Sequence, residues 1–164
     1  MSISEKPRVF HIFLGKGRRF FRECMDQSII KLDYHTVPDD ICRKGDWDAV
    51  QEHYRTNEGR NNYTLSRHTD ILRYFYESTS ADVWITHHKG EFWWCRVKPK
   101  VTPLDGGFRS RKVIGQWSNL DVNGIILYFQ DIVPERVRKS TDRYTIREYD
   151  ADEANYWRKT LLGQ

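Results

Sequence analysis

Aromatic rings set beside cations are the feature of this sequence that could do chemistry. Asp82 to Lys98 reads DVWITHHKGEFWWCRVK, and VKPKVTPLDGGFRSRK continues from it, supplying Lys98, Lys100, Arg109, Arg111 and Lys112. Flat π-faces stack on nucleobases, and cations contact phosphates. The combination fits a nucleic acid whose base enters a pocket while its phosphates stay outside. By position, Tyr34, Trp84, Trp94 and Trp117 are candidate pocket walls, with Phe20 next. Ser118 and Asn119 could hydrogen-bond a base edge, or form an ordinary turn. Asp82 could accept from an exocyclic amine, or simply open a strand. Lys16, Arg18 and Arg19 follow Gly15 where a helix begins, a natural phosphate seat. Each of these rings could also be core filler, and each cation a solvated surface group.

Other chemistries find little support. His87 and His88 flank a turn and lack further ligands at a recognisable spacing, so they are expected to be exposed and no metal or cofactor is implied. Cys24, Cys42 and Cys95 are odd in number and form no CxxC pair, and Cys24 and Cys95 read as small core residues. Cys42 with His53 or His35 could form a nucleophile pair, but nothing around them marks it. A nuclease could use Asp82, Glu91 and Lys98, yet the short E-x-K element is missing. P-loop and GxSxG patterns are missing too. A non-catalytic role is therefore expected.

The 164 residues fit one domain, residues 1–164. A charged fraction of 30%, a hydrophobic fraction of 38% and a net charge of +4 suit a soluble chain with mild basicity. No apolar run reaches the length of a membrane span, and MSISEKPRVF lacks a signal-like stretch. A cytoplasmic location without membrane partners is expected.

The elements that must hold these residues follow from periodicity. RVFHIFLG (8–15) reads as a strand, RRFFRECMDQ (18–27) as a helix and SIIKLDYH (28–35) as a second strand. A polar stretch, 38–62, contains a short helix, DWDAVQEHYRT. SRHTDILRYFYEST forms a longer helix with Ile71, Leu72 and Phe75 on its buried stripe. The tryptophan hairpin follows, then a basic loop, PLDGGFRSRK. RKVIGQWSN (111–119) and GIILYFQDI (124–132) read as strands. Asp150 with Glu153 resembles a capping box for a last helix that carries Ala154, Trp157 and Leu161 on one side. This order does not alternate as βαβ units do. It predicts an α+β fold with a curved or closed, mostly antiparallel sheet and helices packed outside.

A two-residue Lys89-Gly90 turn would pair His88 with Glu91, Thr86 with Trp93, Ile85 with Trp94 and Trp84 with Cys95. One face then holds Val83, Ile85, Phe92 and Trp94, and the other Trp84, Trp93, Cys95 and Val97. Both faces are apolar, so both must be covered.

The stretch HIFLGKGRRFFRECMDQSIIKLDYHTVPDD resembles the opening of EVE-type domains of the PUA-like superfamily. DILRYFYESTSADVWITHHKGEFWWCRV resembles that family's helix and strand-hairpin, and VIGQWSN its later strand ending in tryptophan. The likeness covers roughly residues 8 to 132 in order and spacing. Ser80-Ala81-Asp82 stands where Gly-Asp is usual, Asp33-Tyr34 where Gly-Trp is usual, and the 38–62 insert is long. The resemblance implies a PUA-like barrel that reads a methylated or hydroxymethylated base in double-stranded DNA, flipped into an aromatic pocket. A separate nuclease domain or subunit would do the cutting. A nuclease domain, or an RNA- or protein-binding module, is the alternative.

Overall fold

The computed structural model describes residues 5–34, 36–132, 135 and 145–164. The first strand, β1 (Val9–Ile12), is buried at every position. A near-continuous apolar run of this kind suits a central strand covered on both faces. β1 lies parallel to β3 (Val83–His88) and antiparallel to β7 (Ile146–Glu148), while β3 pairs antiparallel with β4 (Glu91–Cys95). The resulting order is β4-β3-β1-β7. A second sheet has the order β2-β6-β5, from β2 (Ile29–Leu32), β6 (Arg109–Val113) and β5 (Val97–Pro103). Only Arg96 separates β4 from β5, so the chain passes directly from one sheet to the other. The fold is α+β with mostly antiparallel sheets. Among the described residues the two sheets do not close into a barrel.

The helices are α1 (Phe21–Gln27), α2 (Asp39–Arg43), α3 (Trp47–Glu58), α4 (Asn62–Glu77) and α5 (Ala151–Leu162). Each longer helix carries its own start signal. The Asp46 carboxylate accepts from Ala49 N at 3.1 Å, and the Asn61 side chain accepts from Thr64 N at 2.9 Å. At α5 the expected capping box is complete: Asp150 accepts from Glu153 N at 2.9 Å, and Glu153 Oε1 accepts from Asp150 N at 3.3 Å. No helix of the described residues is long and apolar enough to cross a membrane.

The hairpin has the register expected from its turn. Trp84 pairs with Cys95, Ile85 with Trp94, Thr86 with Trp93 and His88 with Glu91. Its two faces feed two cores. Trp84, Cys95 and Val97 join a cluster with Phe10, Leu72 and Phe75, where Phe10 and Trp84 stack at 4.8 Å. Val83, Ile85 and Phe92 join a second cluster with Leu127, Ala154, Trp157 and Leu161. Full burial of a large apolar side chain contributes about 1.5–3 kcal/mol, so the hairpin anchors both cores at once. Cys24 and Cys95 are core residues as expected, and Cys42 is buried too.

The regions around the hairpin differ from the sequence expectation. The strand expected over 111–119 ends at Val113. Trp117 and Ser118 follow a turn, and Ser118 pairs with Trp94 through an isolated bridge. The strand expected over 124–132 is reduced to bridges at Ile126 and Tyr128 and a 3₁₀ turn at Phe129–Asp131. The cause is local: the Asp121 carboxylate accepts from Asn123 N and Ile125 N, folding the segment into a turn. β5 occupies sequence that is rich in proline, which is tolerated because β5 is an edge strand. The strand expected over 28–35 ends at Leu32, and His35 lies outside the described residues.

Candidate nucleic-acid interface

Three of the expected pocket rings are sealed. Trp84 has no exposed surface and lies under α4. Trp117 is buried and its indole N–H donates to the Ile29 carbonyl at 3.1 Å. Phe20 is buried edge-on to Phe108, with the Arg19 and Lys31 cations over its ring. These three are core residues, a correction to the pocket expectation. Trp84 lies on β3, an interior strand of its sheet with α4 packed over its ring, so that ring keeps no free surface. Trp94 is half-buried against the second core, and its N–H donates to the Leu120 carbonyl at 2.8 Å. Ser118 Oγ accepts from Leu120 N, and Asn119 Nδ2 donates to Glu91 Oε2 at 3.3 Å, so both hold the turn beside β4.

Tyr34 is different. It is half-buried just beyond the end of β2, edge-on to His68 at 5.2 Å. Its hydroxyl is hydrogen-bonded to Thr145, and burial raises its pKa, keeping the phenol neutral. Phe13 N also donates to the Thr145 carbonyl at 2.8 Å, so Thr145 ties the end of β1 to Tyr34. Behind Tyr34, His68 lies edge-on to Tyr54 at 5.6 Å, and Arg60 Nη1 sits 2.6 Å from His68 Nδ1. Burial, then the Arg60 and Arg67 cations, push His68 down to about 4, leaving a neutral acceptor for Arg60.

Asp82 is buried and spent on the backbone, accepting from Arg8 N at 2.9 Å and Thr79 N at 2.8 Å. It starts the strand rather than facing a ligand. Glu91 pairs with His88 at the far end of the hairpin, about 20 Å along a strand from Asp82 at ~3.4 Å per residue. The carboxylates of the nuclease alternative are therefore not brought together. Burial pushes the Cys42 thiol up to about 11, the opposite of what a nucleophile needs. No group of three His, Cys, Asp or Glu side chains among the described residues could hold a metal ion.

The expected phosphate contacts separate into two kinds. Arg109 and Arg111 are buried, a correction to their expected role. Arg109 donates to the Tyr34 and Val37 carbonyls. Arg111 donates to the carbonyls of Phe75 (2.9 Å), Ser78 (3.0 Å) and Lys98 (2.9 Å), and to Ser78 Oγ. Burial brings Arg111 down to about 10, so it stays charged at neutral pH. Arg19 pairs with Asp33. Lys16, Lys98, Lys100 and Lys112 are exposed and form no ion pair among the described residues.

Arg18 leads to a cluster that sequence reasoning missed. Its Nε donates to the His87 carbonyl at 2.8 Å and its Nη2 bonds His87 Nε2. Guanidinium nitrogens only donate, so His87 Nε2 is the acceptor and its proton sits on Nδ1. That Nδ1 lies 3.1 Å from His11 Nε2, which places the His11 proton on Nδ1. His87 is thus buried, not exposed as expected, and His88 is half-buried against Phe21. Arg18 holds φ at 59°, a left-handed conformation uncommon outside glycine. The available signal was His11 itself, a lone polar residue inside the apolar run VFHIFL. Compared with known proteins, the chain matches no family model, no curated protein and no solved structure.

Proposed function

We propose that this chain is a non-catalytic reader of a modified base in double-stranded DNA, built as a PUA-like domain of the EVE type. A separate nuclease domain or subunit would act on the DNA it marks. The observation that supports this furthest is the set of unpaired lysines: Lys98, Lys100 and Lys112 stand exposed on neighbouring strands of the second sheet, and Lys16 on the turn after β1. Unpaired surface cations release counterions when they meet a phosphate backbone, which drives binding. Tyr34, at the edge of the same sheet, is the ring the reading assigns to the base. Stacking contributes roughly 1–3 kcal/mol per base, offsetting part of the few kcal/mol needed to flip it.

The test is binding to duplexes matched in sequence that carry no modification, N6-methyladenine, 5-methylcytosine or 5-hydroxymethylcytosine. One modified duplex should bind about tenfold tighter or more than the plain one, the scale set by one methyl in an apolar pocket. Tyr34→Ala should remove that preference. Equal affinity for all four duplexes, or no binding, overturns the reading.

A further inference from the structure

The cleft between α1 and the β3–β4 turn has a volume of about 440 Å³ and a composition that structural packing does not use up. Phe21 and His88 lie face to face along one wall, centroids 4.0 Å apart with planes at 22°. Trp93 stands edge-on to Phe21 at 6.0 Å, and Met25 completes the apolar lining. The rings are half-buried, so each keeps surface facing the cleft.

The polar groups around these rings are open. The Trp93 indole N–H, the His88 ring nitrogens and the head groups of Arg22 and Lys89 make no hydrogen bond or ion pair among the described residues. Elsewhere in this fold the other half-buried tryptophans are occupied: Trp94 donates to Leu120 and Trp47 to Glu77. Lys89 holds φ at 49° in a turn whose first position favours Asn, Asp or Gly. The turn thus keeps a cation at the rim at the expense of local backbone comfort. Two carboxylates, Asp26 and Glu91, complete the rim, the latter accepting from Asn119 at 3.3 Å.

We propose that this cleft is a binding site for an amino-bearing nucleotide, with the base against Phe21 and Trp93 and the phosphate between Arg22 and Lys89. Aromatic walls supply a stacking surface for a flat base. Arg22 and Lys89 supply charge for the phosphate. Asp26 and Glu91 accept from exocyclic amines, which adenine and cytosine have and uracil lacks. His88 is held below its ordinary pKa, chiefly by burial and then by Lys89 and Arg18, so it presents a neutral ring. Tyr34 does not line this cleft, and the inference stands apart from the reading of the Tyr34 site.

The experiment is calorimetric titration of the full chain with AMP, with UMP and with a short single-stranded oligodeoxyadenylate. AMP should bind more tightly than UMP. Trp93→Leu, and separately the double variant Arg22→Glu/Lys89→Glu, should weaken AMP by about tenfold or more, while Tyr34→Ala should not. The double variant changes only exposed positions, and a thermal melt matching wild type excludes unfolding as the cause. An oligonucleotide bound far more tightly than AMP, and sensitive to the same variants, identifies a strand as the source. Equal affinity identifies the free nucleotide. No heat with either AMP or the oligonucleotide overturns the proposal, as does AMP binding that survives both cleft variants. Failure here with a modified-duplex preference intact sinks this inference alone, and the converse pattern sinks the DNA-reader reading alone.

Discussion

His11 Nε2 and His87 Nδ1 lie 3.1 Å apart, among the rings of Phe13, Phe92, Phe129 and Tyr149. The pair is compatible with only one proton between its facing nitrogens. Arg18 on the far side of His87, and Arg147 near His11, make an added proton still less welcome.

Stability should therefore fall as the solution turns mildly acidic. Burial, then His87, Arg18 and Arg147, hold His11 well below the ordinary histidine range. The unfolded chain takes up a proton as pH drops through about 6.5, whereas folded His11 does not. Its contribution is fully present above that pH and is lost below it, at up to about 1.4 kcal/mol per pH unit. His68, held at about 4, acts with the same sign between the two values. Urea midpoints should be lower at pH 5.5 than at 7.5, before most carboxylates titrate, and His11→Phe should flatten the difference. A pH-independent midpoint would contradict this account of the pair.

Truncating Trp84 should be a folding lesion. Trp84→Ala empties a fully buried site stacked on Phe10, and a loss of about 3–5 kcal/mol is expected by urea titration. Under conditions where the variant remains folded, its affinity for a plain duplex should match wild type. A selective loss of binding with stability intact would return this ring to the pocket.

Arg111 and Lys112 are adjacent but should respond differently. Arg111→Ala leaves the Phe75, Ser78 and Lys98 carbonyls without their donor, at roughly 1–3 kcal/mol for each orphaned group. Lys112→Ala, at an exposed position, should change stability by no more than about 0.5 kcal/mol. Equal denaturation midpoints for the two variants would refute the structural role of Arg111.

If the free lysines carry a phosphate backbone, the dependence of log K on log salt should record it. Replacing Lys98, Lys100 and Lys112 together with glutamine should make that slope shallower by up to about 2.7, at 0.9 per phosphate contact. An unchanged slope would place the nucleic acid elsewhere on the molecule.

The hairpin was legible because two independent signals agree. Lys89-Gly90 sets the register, and strict alternation then assigns Trp84 and Trp94 to opposite faces. The capping box at Asp150 and Glu153 was legible for a similar reason, since both halves of the interaction lie within one turn. The fate of Arg109 and Arg111 was not. Their neighbours Ser110 and Lys112 alternate with them, and nothing local says which face is covered. The partners that decide it are more than thirty residues away: Phe75 and Ser78 at the end of α4 for Arg111, and Tyr34 and Val37 beyond β2 for Arg109. The burial of His87 is hidden from the sequence in the same way: its hydrogen bonds come from β1 and the following turn, through contacts that a local pattern does not encode.

The three buried thiols have a practical corollary. Burial raises Cys24 to about 12 and Cys42 to about 11, and holds Cys95 well above the ordinary thiol value. Thiolate is the species that reacts with alkylating agents and mild oxidants, so the native chain is chemically quiet towards them. Each cysteine marks a different place: Cys24 on α1, Cys42 on α2, Cys95 at the end of β4. Without any engineered label, the order in which the three are modified becomes a clock for which part of the molecule opens first.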